Sequence, residues 1–199
     1  MKKLTLTISI LLLALYSYAQ GISAGVKAGL NISNQNVSWN GSSIDTNAKA
    51  GVHLGGYAVV MFAEKVGIQP EIVFSMQGAK YPDYDGKTIF NYLNIPILAR
   101  YSINEMFSVH AGPQIGFLLT AKSEDDGDKF DRKDEFDGLD IGGAIGVGVE
   151  WPSGINCGAR YVIGFSQISK DVDDNGEFKN HVFQLYAAYK LFDKNNNSE

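Results

Sequence analysis

Between Ile22 and Ile32 every second residue is apolar. Ile22, Ala24, Val26, Ala28, Leu30 and Ile32 share one side of the chain, and Ser23, Gly25, Lys27, Gly29 and Asn31 share the other. A period of two places these sets on opposite faces of an extended strand; a helix would need apolar residues three and four apart. The pattern recurs through residues 52–62, 66–76, 93–101, 107–119, 139–149, 155–165 and 183–191. Eight strands are therefore expected. After the first 20 residues no apolar run is long enough for a membrane-spanning helix.

One face of each strand is apolar throughout. The other is mixed, with Lys27, His53, Gln69, Glu71, Asn94, Arg100, His110, Gln114, Asp140, Asn156, Arg160, Gln184 and Lys190 among many glycines such as Gly25, Gly146 and Gly158. A water-facing surface would carry Lys, Glu and Thr in place of that glycine. Side chains sharing a narrow interior, in contrast, need it. The strands also exceed the ~5–6 residues usual in soluble sheets and reach the ~9–11 that cross a bilayer at a tilt. The expectation is an inside-out barrel, apolar toward lipid and polar within.

The connections support this reading. Residues 33–51, 79–90, 121–138 and 166–180 form long connections, and residues 63–65, 102–105 and 151–153 short ones, in strict alternation. Outer-membrane barrels have short periplasmic turns, long external loops and an even number of antiparallel strands. The fold class predicted is all-β, an eight-stranded antiparallel up-and-down transmembrane barrel. Phe62, Tyr101, Phe107, Trp151 and Phe192 would form the periplasmic aromatic girdle, and Phe90, Tyr92, Phe117 and Phe165 the outer one. Phe192 has the parity of Lys190, not that of Leu191. Pro70, Pro96 and Pro113 fall inside strands, where each removes a ladder donor. A bulge, a local break or an unpaired carbonyl is expected at each.

Charge and cysteine content narrow the function. The chain has 199 residues, a formal charge of −5 and one cysteine. Phosphate-backbone binding needs a basic surface, so no nucleic-acid partner is expected. One cysteine makes neither an internal disulfide nor a Cys-rich zinc site. Lys2 and Lys3, the apolar run from Leu4 to Leu15, and Ser17-Tyr18-Ala19 read as a secretory signal peptide cleaved after Ala19. The expected organisation is residues 1–19 signal peptide, 20–192 barrel and 193–199 polar tail. The expected location is the bacterial outer membrane.

Several segments carry a family resemblance. Gly25-Val26-Lys27-Ala28-Gly29-Leu30-Asn31, Gln69-Pro70-Glu71, Tyr92-Leu93-Asn94-Ile95-Pro96-Ile97, Ala111-Gly112-Pro113-Gln114-Ile115-Gly116 and Gly158-Ala159-Arg160-Tyr161-Val162-Ile163-Gly164 resemble the PorT-like outer-membrane β-barrel family from about Gly21 to Phe192. The resemblance implies a small barrel in the outer membrane and, through PorT itself, a link with protein secretion. It implies no catalytic residue.

The candidate site is the interior. An eight-stranded barrel is only wide enough for its own side chains, so charges there must pair or each cost several kcal/mol, on the order of the buried-ion penalty. Lys27, Arg100, Arg160 and Lys190 oppose Glu71, Asp140 and Glu150, and a salt-bridged polar network of Lys27, Glu71, Arg100, Asp140, Arg160 and Lys190 is expected. Glu71, Arg100 and Arg160 are its foremost members. The competing reading of these residues is a gated ion path.

Residues 121–138 are acidic, holding Glu124, Asp125, Asp126, Asp128, Asp131, Asp134, Glu135 and Asp137. They read as a solvated loop or as a contact surface for a cationic partner. Asp171-Val172-Asp173-Asp174-Asn175-Gly176 matches the first half of a calcium loop, but Val182 stands where the bidentate Glu belongs. His181 with Ser166, Ser169 and Glu177 is a loose set for a lipid hydrolase, without specific spacing. His53 and His110 read as interior hydrogen-bonders and Cys157 as a small lipid-facing hydrophobe. The function expected is a non-enzymatic barrel with a plugged lumen and no cofactor or metal. Its partners are outer-membrane lipid and an envelope or extracellular protein reached through the loops. The alternatives are a lipid-modifying enzyme and an accessory component of a secretion or envelope assembly.

Overall fold

The computed structural model describes residues 21–39, 42–44, 46–81, 86–125, 128–168 and 176–195. Eight long strands carry the fold: β1 (Gly21–Trp39), β2 (Asn47–Met61), β3 (Val66–Gln77), β4 (Gly86–Ser102), β5 (Phe107–Asp125), β6 (Leu139–Glu150), β7 (Ile155–Gly164) and β8 (Gly176–Asn195). Each pairs antiparallel with the next, and β1 pairs with β8 from Gly21↔Asn195 to Trp39↔Gly176, closing an up-and-down barrel. Closure leaves no unpaired sheet edge, which a spanning structure in hydrocarbon cannot tolerate. Three short strands, Ser42–Ile44, Ala79–Tyr81 and Asp128–Asp131, extend the rim at the end opposite the chain termini.

The faces point as the periodicity predicts. Leu30, Leu54, Ile145 and Val147 are 54–62% exposed on the outside, whereas Lys27, Glu71 and Arg160 are 2–3% exposed within. Each outward Leu or Ile gains about 1.5–3 kcal/mol when acyl chains replace water around it. The inner wall is less uniformly polar than expected. Leu98, Ala144, Val162 and Val182 pack together there, and so do Phe90, Tyr92, Leu118 and Ala121. Phe90 and Tyr92 are thus interior residues and not part of an outer girdle. They share the parity of Asn94, which turns inward. Tyr101, Phe107, Trp151 and Phe192 are exposed, as a periplasmic girdle requires, and Phe117 and Phe165 face outward at the other end.

Two differences concern strand length and parity. The long connections are shorter than expected because β1, β4, β5 and β8 run on past the apolar band, to Trp39, from Gly86, to Asp125 and from Gly176. Beyond that band the outward residues are polar, such as Asn34, Asn36 and His181, so alternation of hydropathy no longer marks the strand. At the other end β8 continues through Asp193 to Asn195, and a bulge shifts its register with β1 from Ala24↔Phe192 to Gly25↔Lys190. Leu191 is the extra residue, and both Leu191 and Phe192 are exposed on the lipid side. The bulge, not the alternation, turns Phe192 outward.

Each proline coincides with a break in one ladder. Pairing skips from Tyr57↔Glu71 to Val60↔Ile68 around Pro70, from Pro70↔Ile97 to Val73↔Asn94 around Pro96, and from Pro96↔Gln114 to Ala99↔Ala111 around Pro113. Register is kept across all three, so these are interruptions and not bulges.

Candidate functional site: the charged lumen

Strands β1, β3 and β7 bring three charges to one point. Arg160 grips Glu71 with both ends of its guanidinium, Nη1 donating to Oε2 at 2.8 Å and Nη2 to Oε1 at 2.7 Å. Lys27 Nζ donates to the same Oε2 at 3.0 Å, and Gln69 Nε2 to Oε1 at 2.7 Å. Two parallel bonds in the planar fork are the strongest geometry a carboxylate can accept. The cluster still holds two cations for one anion. Tyr186 offsets part of the excess, its ring face lying 4.0 Å from Lys27 Nζ. Arg160 Nε and Nη2 reach His110 Nε2 at 3.3 and 3.2 Å, which requires that nitrogen to be an unprotonated acceptor.

Inward glycines make room for these groups. A Cβ on Gly146 would fall within 3 Å of His110, and one on Gly158 within 3 Å of the Tyr186 hydroxyl. Only a side chain of no size leaves space for an aromatic ring across so narrow a lumen.

Arg100 and Lys190 belong to a second cluster nearer the chain termini. Arg100 Nη2 donates to Glu150 Oε2 at 2.9 Å, and Lys190 pairs with Glu150 Oε1 and, at 2.8 Å, with Asp193. Gln69 joins the two clusters, since its Oε1 accepts from Arg100 Nη1 at 3.0 Å while its Nε2 serves Glu71. Of the six residues expected to form one network, five therefore lie in two linked clusters. Asp140 is apart from both. Its carboxylate accepts from Ser166 Oγ at 3.0 Å and Asn180 Nδ2 at 3.1 Å, near the outer end of β6. Sequence reasoning singled out neither Tyr186 nor the bridging part of Gln69. The inward parity of Tyr186 with Gln184 was the available signal.

The remaining candidates are dispersed. His53 Nδ1 bonds Asn31 Oδ1 at 2.8 Å, well separated in sequence and partner from His110. His181 lies on the outward side, where Asn36 Nδ2 donates to its Nε2 at 3.0 Å and the Tyr161 hydroxyl meets its Nδ1 at 3.3 Å. Ser166 is engaged with Asp140, and both nitrogens of His181 are bonded to groups other than Ser166. Ser169, the side chain of Glu177 and the calcium-like segment 171–175 fall outside the described residues, as do residues 1–20.

The lumen opens at the end that carries the chain termini. A cavity of about 540 Å³ enters from the side of the termini, between Ile22, Met61, Lys65 and Ile103, and stops at Arg100, Glu150 and Lys190. Beyond it a small pocket of about 10 Å³ lies beside Lys27, Gln69 and Tyr186, about the volume of one water probe. At the far end Phe136, carried on the connection between β5 and β6, packs against Phe90 and Phe178.

This geometry has relatives. The fold matches the attachment invasion locus protein Ail of Yersinia pestis, solved in complex with the heparin analogue sucrose octasulfate, at 18% identity and a TM-score of 0.52, covering 86% of this chain and 99% of that one. It also matches Neisserial surface protein A at 12% identity and a TM-score of 0.52, covering 84% and 97%. No curated protein matches the sequence. Residues 18–170 match the family described as outer membrane protein beta-barrel domain. A closed eight-stranded barrel with a lipid-facing exterior and this family match together place the chain in the outer membrane: it belongs to the outer membrane protein beta-barrel domain family.

Proposed function

We propose that this barrel is a non-enzymatic outer-membrane protein with a plugged lumen, acting in a structural or surface-interaction role through its outer loops. The observation that carries this is the crossing of the lumen by the paired side chains of Arg160, Glu71 and Lys27, each at most 2% exposed. In this reading Lys27, Glu71, Arg100, Arg160 and Lys190 hold the walls together, and Asp140 serves the outer mouth. Export by a cleaved segment 1–19, a barrel domain over 20–192 and kinship with the PorT-like group within the family belong to the same proposal. The complex of Ail with a heparin analogue supports a ligand-binding surface on a barrel of this shape.

Conductance across a planar bilayer tests the plug. The wild type is expected to be silent. Glu71→Gln is expected to remain silent while losing stability, because the side chains still fill the space. Steady ion current through the wild type would instead establish the gated path. Release of acyl chains from outer-membrane lipid by purified protein would establish the enzyme.

A further inference from the structure

Asp140 is a charged residue to which neither cluster supplies a cation. Its carboxylate has neutral donors, the Ser166 hydroxyl and the Asn180 amide. Asn180 also donates to the Tyr92 hydroxyl at 3.3 Å, which places that ring beside the carboxylate. Tyr92 neighbours Phe90 at 6.2 Å between centroids, Phe90 meets Phe136 at 4.8 Å, and Phe136 meets Phe178 at 5.9 Å. A carboxylate and a row of aromatic rings therefore share the outer mouth.

Phe136 is the member of this row that lies on a connection and not on one of the eight long strands. It is borne by residues 132–138, whose one-turn helix Lys133–Glu135 buries no side chain. Three backbone bonds flank the segment: Arg132 N to Ala121 O at 3.0 Å, Asp137 N to Ile168 O at 2.9 Å, and Leu118 N to Gly138 O at 2.9 Å. Its ring meets Phe90 edge to face, at 73°. In such a pair the positive edge of one ring meets the face of the other, and a ring face is also what attracts a cation.

The geometry points to a site for a cationic side chain of a basic peptide, its ammonium or guanidinium group held by Asp140 and faced by Phe90 and Tyr92 when Phe136 swings aside. The site rests on the surface-interaction reading and names its partner class. The charge around the cap favours approach of such a partner: Arg132 is paired with Glu135 at 2.9 Å, and exposed Asp131 and Asp134 with half-buried Asp137 outnumber Lys133.

The test uses the full barrel in phosphatidylcholine nanodiscs with a fluorescein-labelled penta-lysine peptide. Anisotropy is read at low and at high salt, after heat-shifted electrophoretic mobility has shown each variant to be folded. Asp140→Asn keeps the size and planar shape while exchanging one accepting oxygen for an amide donor, which the Ser166 hydroxyl can accept, and is expected to weaken binding about tenfold at both salt concentrations, as loss of a charge-assisted bond would. Phe136→Leu loosens the cap and is expected to tighten binding severalfold. Asp134→Asn with Glu135→Gln is expected to weaken binding at low salt only, because exposed charges are screened. Wild-type affinity in both Asp140→Asn and Phe136→Leu overturns the site. If the exposed-loop variant alone then loses binding, the surface role stands without this site; a conducting wild-type barrel overturns the plugged-lumen reading and leaves the peptide result intact.

Discussion

Glu71 and Glu150 have the same chemistry and different surroundings. Each is a carboxylate shared by one Arg and one Lys, Arg160 with Lys27 in one case and Arg100 with Lys190 in the other. The Glu71 side chain and its partners are at most 2% exposed, whereas those around Glu150 are 15–21% exposed. Water at the mouth of the vestibule can solvate Arg100 if its partner is lost. Arg160, with a side chain 1% exposed, has no such access to bulk water. An ion pair at the mouth is therefore interchangeable with hydration, and the one in the middle of the barrel is a structural commitment among β1, β3 and β7.

The largest expected effect follows from breaking the buried member. Glu71→Gln leaves Lys27 and Arg160 facing each other with no anion, and should cost about 3–5 kcal/mol, measured by denaturant unfolding in detergent micelles. A loss comparable to that of Glu150→Gln would refute the distinction drawn here. The bridge should rank second. Gln69→Leu removes one of the four bonds to the buried Glu71 carboxylate and an acceptor from half-buried Arg100, and should cost about 1–3 kcal/mol. The smallest effect belongs to the mouth: Glu150→Gln should cost about 0–1 kcal/mol, and that cost should shrink as salt is raised. A salt-independent loss would show the Glu150 cluster to be shut off from solvent.

The inside-out orientation was legible residue by residue. Period two alone places Lys27, Glu71 and Arg160 inward and Leu30 and Val147 outward. What that period does not contain is which inward residues meet. Glu71 and Arg160 lie 89 positions apart on strands that are not neighbours in the sheet, so their contact depends on the stagger of all eight strands and on side-chain reach across the lumen. The period groups Asp140 with the other inward charges for the same reason, although depth along β6 separates it from them. The reversal of parity at Phe192 was hidden as well, because a bulge adds a residue without changing hydropathy. The outer ends of β1 and β8 were missed because lipid no longer imposes an apolar side there.

The interruptions at Pro70, Pro96 and Pro113 fall in three successive ladders, β2–β3, β3–β4 and β4–β5. No comparable gap occurs where β5, β6, β7, β8 and β1 join. The cylinder thus has a stiff half and a compliant half. Ovalisation under lateral bilayer pressure should concentrate in the proline-bearing arc, while the clasp of Arg160 on Glu71 acts as a strut that ties the soft arc to the rigid one.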